Sequence, residues 1–326
     1  MRDISIDITR GLAIFTMIAA NMLPFLLTPP VSLPIRLYGT FAAPAFVMIA
    51  GMMVALTGKK HSLRYYIDRG GVVVLIGILI DVFLYHLYPF KSADVLYLIG
   101  LSLPLAYLFL GLDKGARWAI ICLIFLLTPV LQASLGYREA NLADTGLTGI
   151  ARSFVIDGFF PVFPWLGFSL LGAQLGTLRW QNGTINRFNV PRWAAPTALL
   201  LAAGLILWAA FPGAMYVRYG YAELFYPATA GFIATAIGIT LLAIAAFDAL
   251  GDRRFLWPLR TMGEYSMHIY VAHTVIILLV IRALNVRVSL PVFILAYLAL
   301  AFAMCLLAVG LKKRGPFDVR LKQDTA

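Results

Sequence analysis

The sequence predicts an all-α, polytopic transmembrane helical bundle of about ten helices, with both chain ends in the cytoplasm. Three observations carry that reading. Hydrophobic residues make up 61% of the 326-residue chain and charged residues only 13%, about half the charged share of an ordinary soluble domain. The apolar residues fall in runs of about 20, the length a helix needs to cross a hydrocarbon core about 30 Å thick. Once those runs are threaded alternately, all but 7 of the 26 lysines and arginines lie on one side, as they do on the cytoplasmic side of a membrane.

The runs follow in order. Span 8–28 opens on Asp7 and Arg10 and carries Asn21 deep inside it. Span 37–57 contains Pro44, which should kink or locally unwind it. Span 70–88 holds Asp81 and, near its far end, His86. Spans 94–112 and 117–135 are almost unbroken apolar stretches, and 159–178 is rich in glycine. Spans 193–211, 226–247, 265–283 and 290–311 complete the set. An even number keeps both termini on one side. Residues 1–326 read as one transmembrane domain with no soluble domain and no lipidation motif.

Two connections on the far side are long. One, 134–158, carries Tyr137, Arg138, Glu139, Asn141, Asp144, Arg152 and Asp157. The other, 211–226, is rich in tyrosine (Tyr216, Tyr219, Tyr221, Tyr226) and adds Arg218 and Glu223. Two readings stand for these segments: an interfacial aromatic belt, or a vestibule that handles a polar substrate. The chain shows no internal repeat, which argues against a transporter built from inverted halves.

Composition also excludes. The net charge of +11 sits in short clusters between apolar runs, so it orients helices and implies no nucleic-acid partner. Cys122 and Cys305 lie within apolar runs, which argues against a disulfide framework or a cysteine metal site. The four histidines lack metal-ligand spacing, so no metal is expected. No phosphate loop, nucleophile elbow or dinucleotide fingerprint is present. Asp3 and Asp7, with a long first apolar run, do not fit a cleavable signal peptide.

Polar residues inside spans are expensive and are functional candidates by default. Asp7 and Arg10 share a helix face at i, i+3. Asn21 returns to the line of Arg10 within about 20°, roughly 16 Å further along the helix. Ser266, Tyr270 and His273, at i, i+4 and i+7, form one polar stripe. His273 falls near the midplane, and its unperturbed pKa near neutrality suits a general base. Each feature also has a plain packing interpretation: a basic anchor, an interhelical asparagine, a hydrogen-bonding histidine. Glu264 and His268 form a separate i, i+4 pair, and His61 sits in a basic loop.

Several segments together resemble the heparan-α-glucosaminide N-acetyltransferase-like membrane proteins. The opening Asp7-Ile8-Thr9-Arg10-Gly11, with Asn21 ten residues after Gly11, is similar to that family's first helix. Pro44-Ala45-Phe46 leading to Gly51, Asp94-Val95-Leu96-Tyr97, and Phe160-Pro161-Val162-Phe163-Pro164-Trp165 with Gly172 and Gly176 follow in the family's order. Gly263-Glu264-Tyr265-Ser266 through Tyr270 and His273 is similar to a late family helix. The resemblance implies a membrane acyltransferase using acetyl-CoA as co-substrate to acetylate an amine or hydroxyl, often of a sugar, on the far side. Lysosomal members carry a histidine shortly after the asparagine. Here Leu23–Thr40 contains none, and Ser32 stands at that position. The base then falls to His273 or His86, or the scaffold does something else.

The resulting expectation is an integral membrane acetyltransferase of the bacterial inner membrane. Arg10, Arg69 and Arg260 would hold the CoA phosphates, Asn21 would donate to the developing oxyanion, and His273 would accept the proton. Asp7, Ser266, Tyr270 and His86 would support them. The partners would be the lipid bilayer and an acyl acceptor, an amino sugar or glycan; a homo-oligomer is left open. The alternative is a non-catalytic transporter or flippase of a small polar or lipid-linked substrate. The charge distribution generates a direct test of orientation. A fluorescent protein fused to the carboxyl terminus should light up in intact bacteria and an alkaline phosphatase fusion should stay inactive; the reverse pattern would refute a cytoplasmic terminus.

Overall fold

In the computed structural model the described residues are 2–137, 146–181, 183–188 and 191–313. The apolar runs fold as helices because, in lipid, a helix satisfies its own backbone groups. Among the described residues, seven helices are long and apolar enough to cross a membrane, or eight if one bent pair forms a single span. The protein is a multi-pass, all-α membrane protein. Residues Arg138, Glu139, Asn141 and Asp144 of the long connection lie outside the described residues.

Helix α1 (Ile4–Leu26) starts at Asp3, whose carboxylate accepts the Ile6 N–H at 3.4 Å. The second run divides into α2 (Leu33–Thr40) and α3 (Ala42–Thr57) around Phe41. The expected disturbance at Pro44 thus falls three residues earlier. A proline ring clashes with the carbonyl four residues before it, here that of Thr40, so the chain restarts and leaves Pro44 in the first turn of α3. Helix α4 (Leu63–Ile80) begins well before the expected residue 70 and runs into a π-helical stretch, Asp81–Tyr85. It takes Arg64, Asp68 and Arg69 onto the helix, and His86 ends it in a left-handed conformation, φ 56°.

Helix α5 (Val95–Leu110) is capped by Asp94 and α6 (Lys114–Leu135) by Asp113, each carboxylate accepting from the first turn. The short α7 (Leu147–Arg152) continues as a π-helical stretch, Ser153–Asp157, and bends by 50° into α8 (Val162–Arg179). A two-residue hairpin pairs β1 (Trp180–Gln181) with β2 (Thr184–Ile185). Then come α9 (Pro191–Ala210), α10 (Ala230–Leu250) and α11 (Trp257–Glu264). After a break at Tyr265, α12 (Ser266–Ile276) runs through a π-helical stretch, Ile277–Ile281, into α13 (Arg282–Leu284). Helix α14 (Leu290–Lys313) closes the described chain.

Helices α1, α3 and α8 form the centre, and α6 and α9 the periphery, where Leu126, Leu199 and Ile206 are each at least 70% exposed. Apolar surface of that extent is what lipid tails cover. The central helices approach through glycine. A Cβ on Gly51 would strike the Ser169 carbonyl, and one on Gly172 the Met48 carbonyl, so α3 and α8 touch backbone to backbone.

The face that holds the amino terminus is fastened by a buried ion triad. Arg179, at the end of α8, donates to Asp3 at 2.6 and 2.9 Å and to Asp248 of α10 at 2.8 and 2.7 Å. Trp180 Nε1 adds a bond to Asp3, and the Phe188 N–H adds one to Asp248. Removing the shared cation from such a cluster leaves two carboxylates buried without a counter-charge, typically a loss of about 3–5 kcal/mol. Arg179→Met should therefore lower the thermal unfolding midpoint in detergent by several degrees. Combining it with Asp3→Asn and Asp248→Asn should recover part of the loss; an unchanged midpoint in the single variant would remove the triad from the stability of the fold.

Candidate functional site

Two helices build the site from a common contact. A Cβ at Gly11 of α1 would land on the Leu259 carbonyl, and one at Gly263 of α11 would land on the Asp7 carbonyl. The two backbones are therefore in direct contact, which only glycine allows there. Asn21 lies ten residues after Gly11, and His273 ten residues after Gly263. Helix α1 carries Asn21 about 15 Å beyond Gly11, and α12, after the break at Tyr265, carries His273 to meet it: Asn21 Nδ2 and His273 Nε2 are 2.9 Å apart.

The tautomer follows from the partners. His273 Nδ1 lies 2.8 Å from the Ile269 carbonyl, and a carbonyl can only accept, so a neutral ring carries its proton on Nδ1. Nε2 is then an acceptor, and the Asn21 amide donates to it. His273 is fully buried.

Asn21 borders a cavity of about 270 Å³. Its wall takes Met17 and Phe25 from α1, Ala42 and Ala43 from α3, and Tyr270 and Thr274 from α12. The loop between α9 and α10 supplies Tyr219, Tyr221, Glu223, Phe225 and Tyr226. Tyr85, Ser92, Asp94, Phe159, Phe160 and Arg282 complete the polar and aromatic lining. The mixture of aromatic faces and a few converging polar groups is that of a small-molecule site.

Two carboxylates face this space, and they differ. Asp94 Oδ1 accepts the Leu96 N–H at 3.1 Å as the cap of α5 and the Tyr270 hydroxyl at 3.2 Å. Glu223 is 92% buried by the complement of its 8% exposure, and its Oε2 has no hydrogen-bond partner. Burial pushes its carboxyl up to about 7, against its own backbone N–H and the nearby Arg36, which pull the other way. The loop that carries it is held firmly. Arg36 donates to the Ala222 and Met215 carbonyls at 2.5 and 2.7 Å, and the Leu224 N–H donates to Thr40 Oγ1 at 3.0 Å. Tyr85 and Tyr221 join hydroxyls at 2.8 Å across the cavity wall.

Within the same loop, the guanidinium of Arg218 donates to Tyr137 and to the Gly158 and Asp157 carbonyls, between the rings of Tyr137, Phe159 and Tyr226. The tyrosine-rich connection is thus packed into the protein as part of the cavity wall. Tyr216 alone of its four tyrosines counted above is exposed and off that wall, at 46%.

At the amino-terminal face the expected phosphate-binding residues differ in their partners. Arg10 lies 3.7 Å from Asp7 and 3.4 Å from the Gly263 carbonyl, and its Nη2 is buried without a partner. Arg69 is exposed and donates to Tyr65. Arg260 is paired with Asp252 at 2.6 Å and Glu264 at 3.2 Å, so its charge is already balanced. Glu264 also binds Arg2 and Lys312, and His268 is exposed beside Tyr265. Their expected i, i+4 pairing gives way to stronger ionic partners. None of Arg10, Arg69 and Arg260 borders the cavity.

The remaining candidates divide as follows. Tyr270 is on the cavity wall, and Ser266 is buried at the start of α12, off that wall. Asp7 pairs with Arg2 at 2.9 Å. His86 is exposed and off the cavity wall, because its left-handed backbone ends α4 while its neighbours Tyr85 and Leu87 face inward. The sequence reading casts His273 as the base; the structure sets it behind Asn21, with its lone-pair nitrogen facing that amide. Asp81, 1% exposed, accepts from Ser92 and Tyr97. Among the described residues, no three His, Cys, Asp or Glu side chains group closely enough to hold a metal ion. Asp94 and Glu223 were visible as polar residues in the sequence, but nothing in the spacing placed them on one cavity wall with Asn21.

Comparison with known proteins gives one family. The model described as heparan-alpha-glucosaminide N-acetyltransferase, catalytic, matches residues 2–219. That range includes Arg10, Asn21 and Asp94 and ends before Glu223 and His273. No curated protein matches the chain.

Proposed function

The chain belongs to the heparan-α-glucosaminide N-acetyltransferase catalytic family, and on that premise we propose that it moves an acetyl group from cytoplasmic acetyl-CoA to an amine or hydroxyl acceptor on the opposite side of a bacterial inner membrane. The observation that carries the proposal is the Asn21–His273 contact at the wall of a cavity lined by aromatic rings and carboxylates. In this reading the chain crosses the bilayer ten times with both termini inside. Acetyl-CoA approaches from the amino-terminal face, where the partnerless Nη2 of Arg10 is suited to an anionic phosphate oxygen. The acceptor, an amino sugar or other glycan, enters the cavity.

Asn21 has two amide hydrogens. One is directed at His273, and the second is available to a thioester carbonyl presented at the cavity wall. As charge develops on that oxygen, a fixed donor in a dry site stabilises it without reorganisation. His273 holds the amide in place: its Nδ1–H is fastened to Ile269, so its Nε2 lone pair sets the plane of Asn21. A neutral imidazole does this without placing a charge among apolar side chains. Tyr270, donating to Asp94, defines the neighbouring wall.

Purified full-length protein in detergent, given radiolabelled acetyl-CoA and glucosamine, should transfer or hydrolyse the acetyl group. Asn21→Ala should lower kcat by about 10²- to 10³-fold, and His273→Ala should lower it too, while KM for acetyl-CoA moves little in both. Absence of turnover by the wild-type protein, with uptake of a polar solute into proteoliposomes instead, would sink the enzymatic reading in favour of transport.

A further inference from the structure

The family match ends four residues before Glu223, and the segment 23–40 lacks a histidine. With His273 turned toward Asn21, the acetyl-transfer reading has no assigned acceptor for the proton that leaves the nucleophile. We propose that Glu223 is that acceptor: its carboxylate, on the cavity wall with one buried oxygen unpartnered, is the general base for acetyl transfer. The inference rests on the acyltransferase reading above.

The geometry separates Glu223 from the other acidic candidate. Asp94 Oδ1 receives both a helix-capping N–H and the Tyr270 hydroxyl, and the α5 amino terminus favours keeping it charged and in place. Glu223 has no comparable employment. Among the described residues it makes no ion pair within 4.0 Å; the adjacent Arg36 directs its Nε and Nη2 at backbone carbonyls. A carboxylate oxygen buried without a donor is unfavourable, so its presence on a cavity wall calls for a reason. The charged and titratable groups around it are Arg36 on α2 and Tyr221 and Tyr226 on its own loop. Asp94, Tyr85, Tyr270 and Arg282 share the cavity. Burial holds the Glu223 carboxyl near 7, where a general base is most effective at neutral pH.

The step balances. The acceptor X–H, an amine or hydroxyl, attacks the thioester carbonyl carbon, forming the X–C bond while its proton passes to Glu223. Collapse of the intermediate breaks the C–S bond, and the proton returns from Glu223 to the departing thiolate. The products are the acetylated acceptor and CoA thiol, with the carboxylate restored.

The test uses full-length protein in detergent with acetyl-CoA as donor and glucosamine as the amine probe, across pH 5.5 to 8.5. Glu223→Gln should lower kcat by about 10²- to 10⁴-fold, with KM for acetyl-CoA within about threefold. The ratio of wild-type to variant rate cancels the titration of the amine itself. A base must be deprotonated to act, so this ratio should climb about tenfold per pH unit below about 7 and level off above it. Glu223→Asp keeps a carboxylate one methylene shorter and should retain the pH limb at a reduced rate, which also serves should the glutamine variant fold poorly. A Glu223→Gln rate within threefold of wild type, a ratio independent of pH, or the limb disappearing instead in Asp94→Asn would each overturn the assignment of the base alone. A wild-type protein that transfers no acetyl group would overturn the acyltransferase reading and this inference together.

Discussion

The site depends on one close contact: the backbones of α1 and α11 touch where Gly11 meets Leu259 and Gly263 meets Asp7. Any larger side chain at either glycine would drive the helices apart by more than a bond length. The separation would reach Asn21 along the unbroken α1, and His273 through α11 and, past the turn at Tyr265, α12. Asn21 and His273 each sit ten residues beyond a contact glycine, and a 2.9 Å hydrogen bond tolerates only a few tenths of an ångström. Within a membrane there is little hydrophobic force to pull helices together, so close backbone packing through small residues carries the association. The contact is both the fastening of the bundle and the ruler of the site.

Polar groups are distributed around that ruler according to how each can be neutralised. The amino-terminal face contains full charges in closed sets: Arg179 with Asp3 and Asp248, and Glu264 with Arg2, Arg260 and Lys312. Between the faces, the contact of α1 and α12 uses groups satisfied while neutral: the Asn21 amide, the His273 imidazole and the Thr274 hydroxyl, which donates to the Tyr270 carbonyl. The opposite face brings charge back in the loop between α9 and α10, where Arg218 is enclosed by carbonyls and three aromatic rings. Desolvation enforces this layering, since an unpaired charge is hardest to hold where water is scarcest.

Much of this was legible in the sequence, and the failures have a physical pattern. The helices follow from apolar run length alone. Asn21 and His273 stood out because polar residues are rare in such runs, and helical spacing set each on a definite face. Gly11 and Gly263 were readable as motif positions, but not as each other's neighbours, since a contact between residues 252 apart is a property of the fold. Arg260 shows the same blindness: its partners Asp252 and Glu264 neutralise it, and a count of basic residues sees only the charge. His86 is exposed and off the cavity wall, with a left-handed backbone that no periodicity reveals. Glu223 lies on a loop, where period carries no information about which side chain faces inward.

The exchange of roles between His273 and Glu223 is consistent with that layering. A histidine used as a base must become a cation during each turnover, and His273 would have to do so fully buried, with one nitrogen held by a carbonyl and the other facing an amide. A glutamate used as a base goes the other way, from anion to neutral acid, so its work relieves the desolvation that burial imposes on it. Beside a cavity with a nearby guanidinium, the carboxylate is the less strained choice for moving a proton. The neutral imidazole is the less strained choice for holding an amide still. Fixed geometry and changing charge therefore fall to different residues, on a helix and on a loop respectively, and Asn21 is the point at which the two meet.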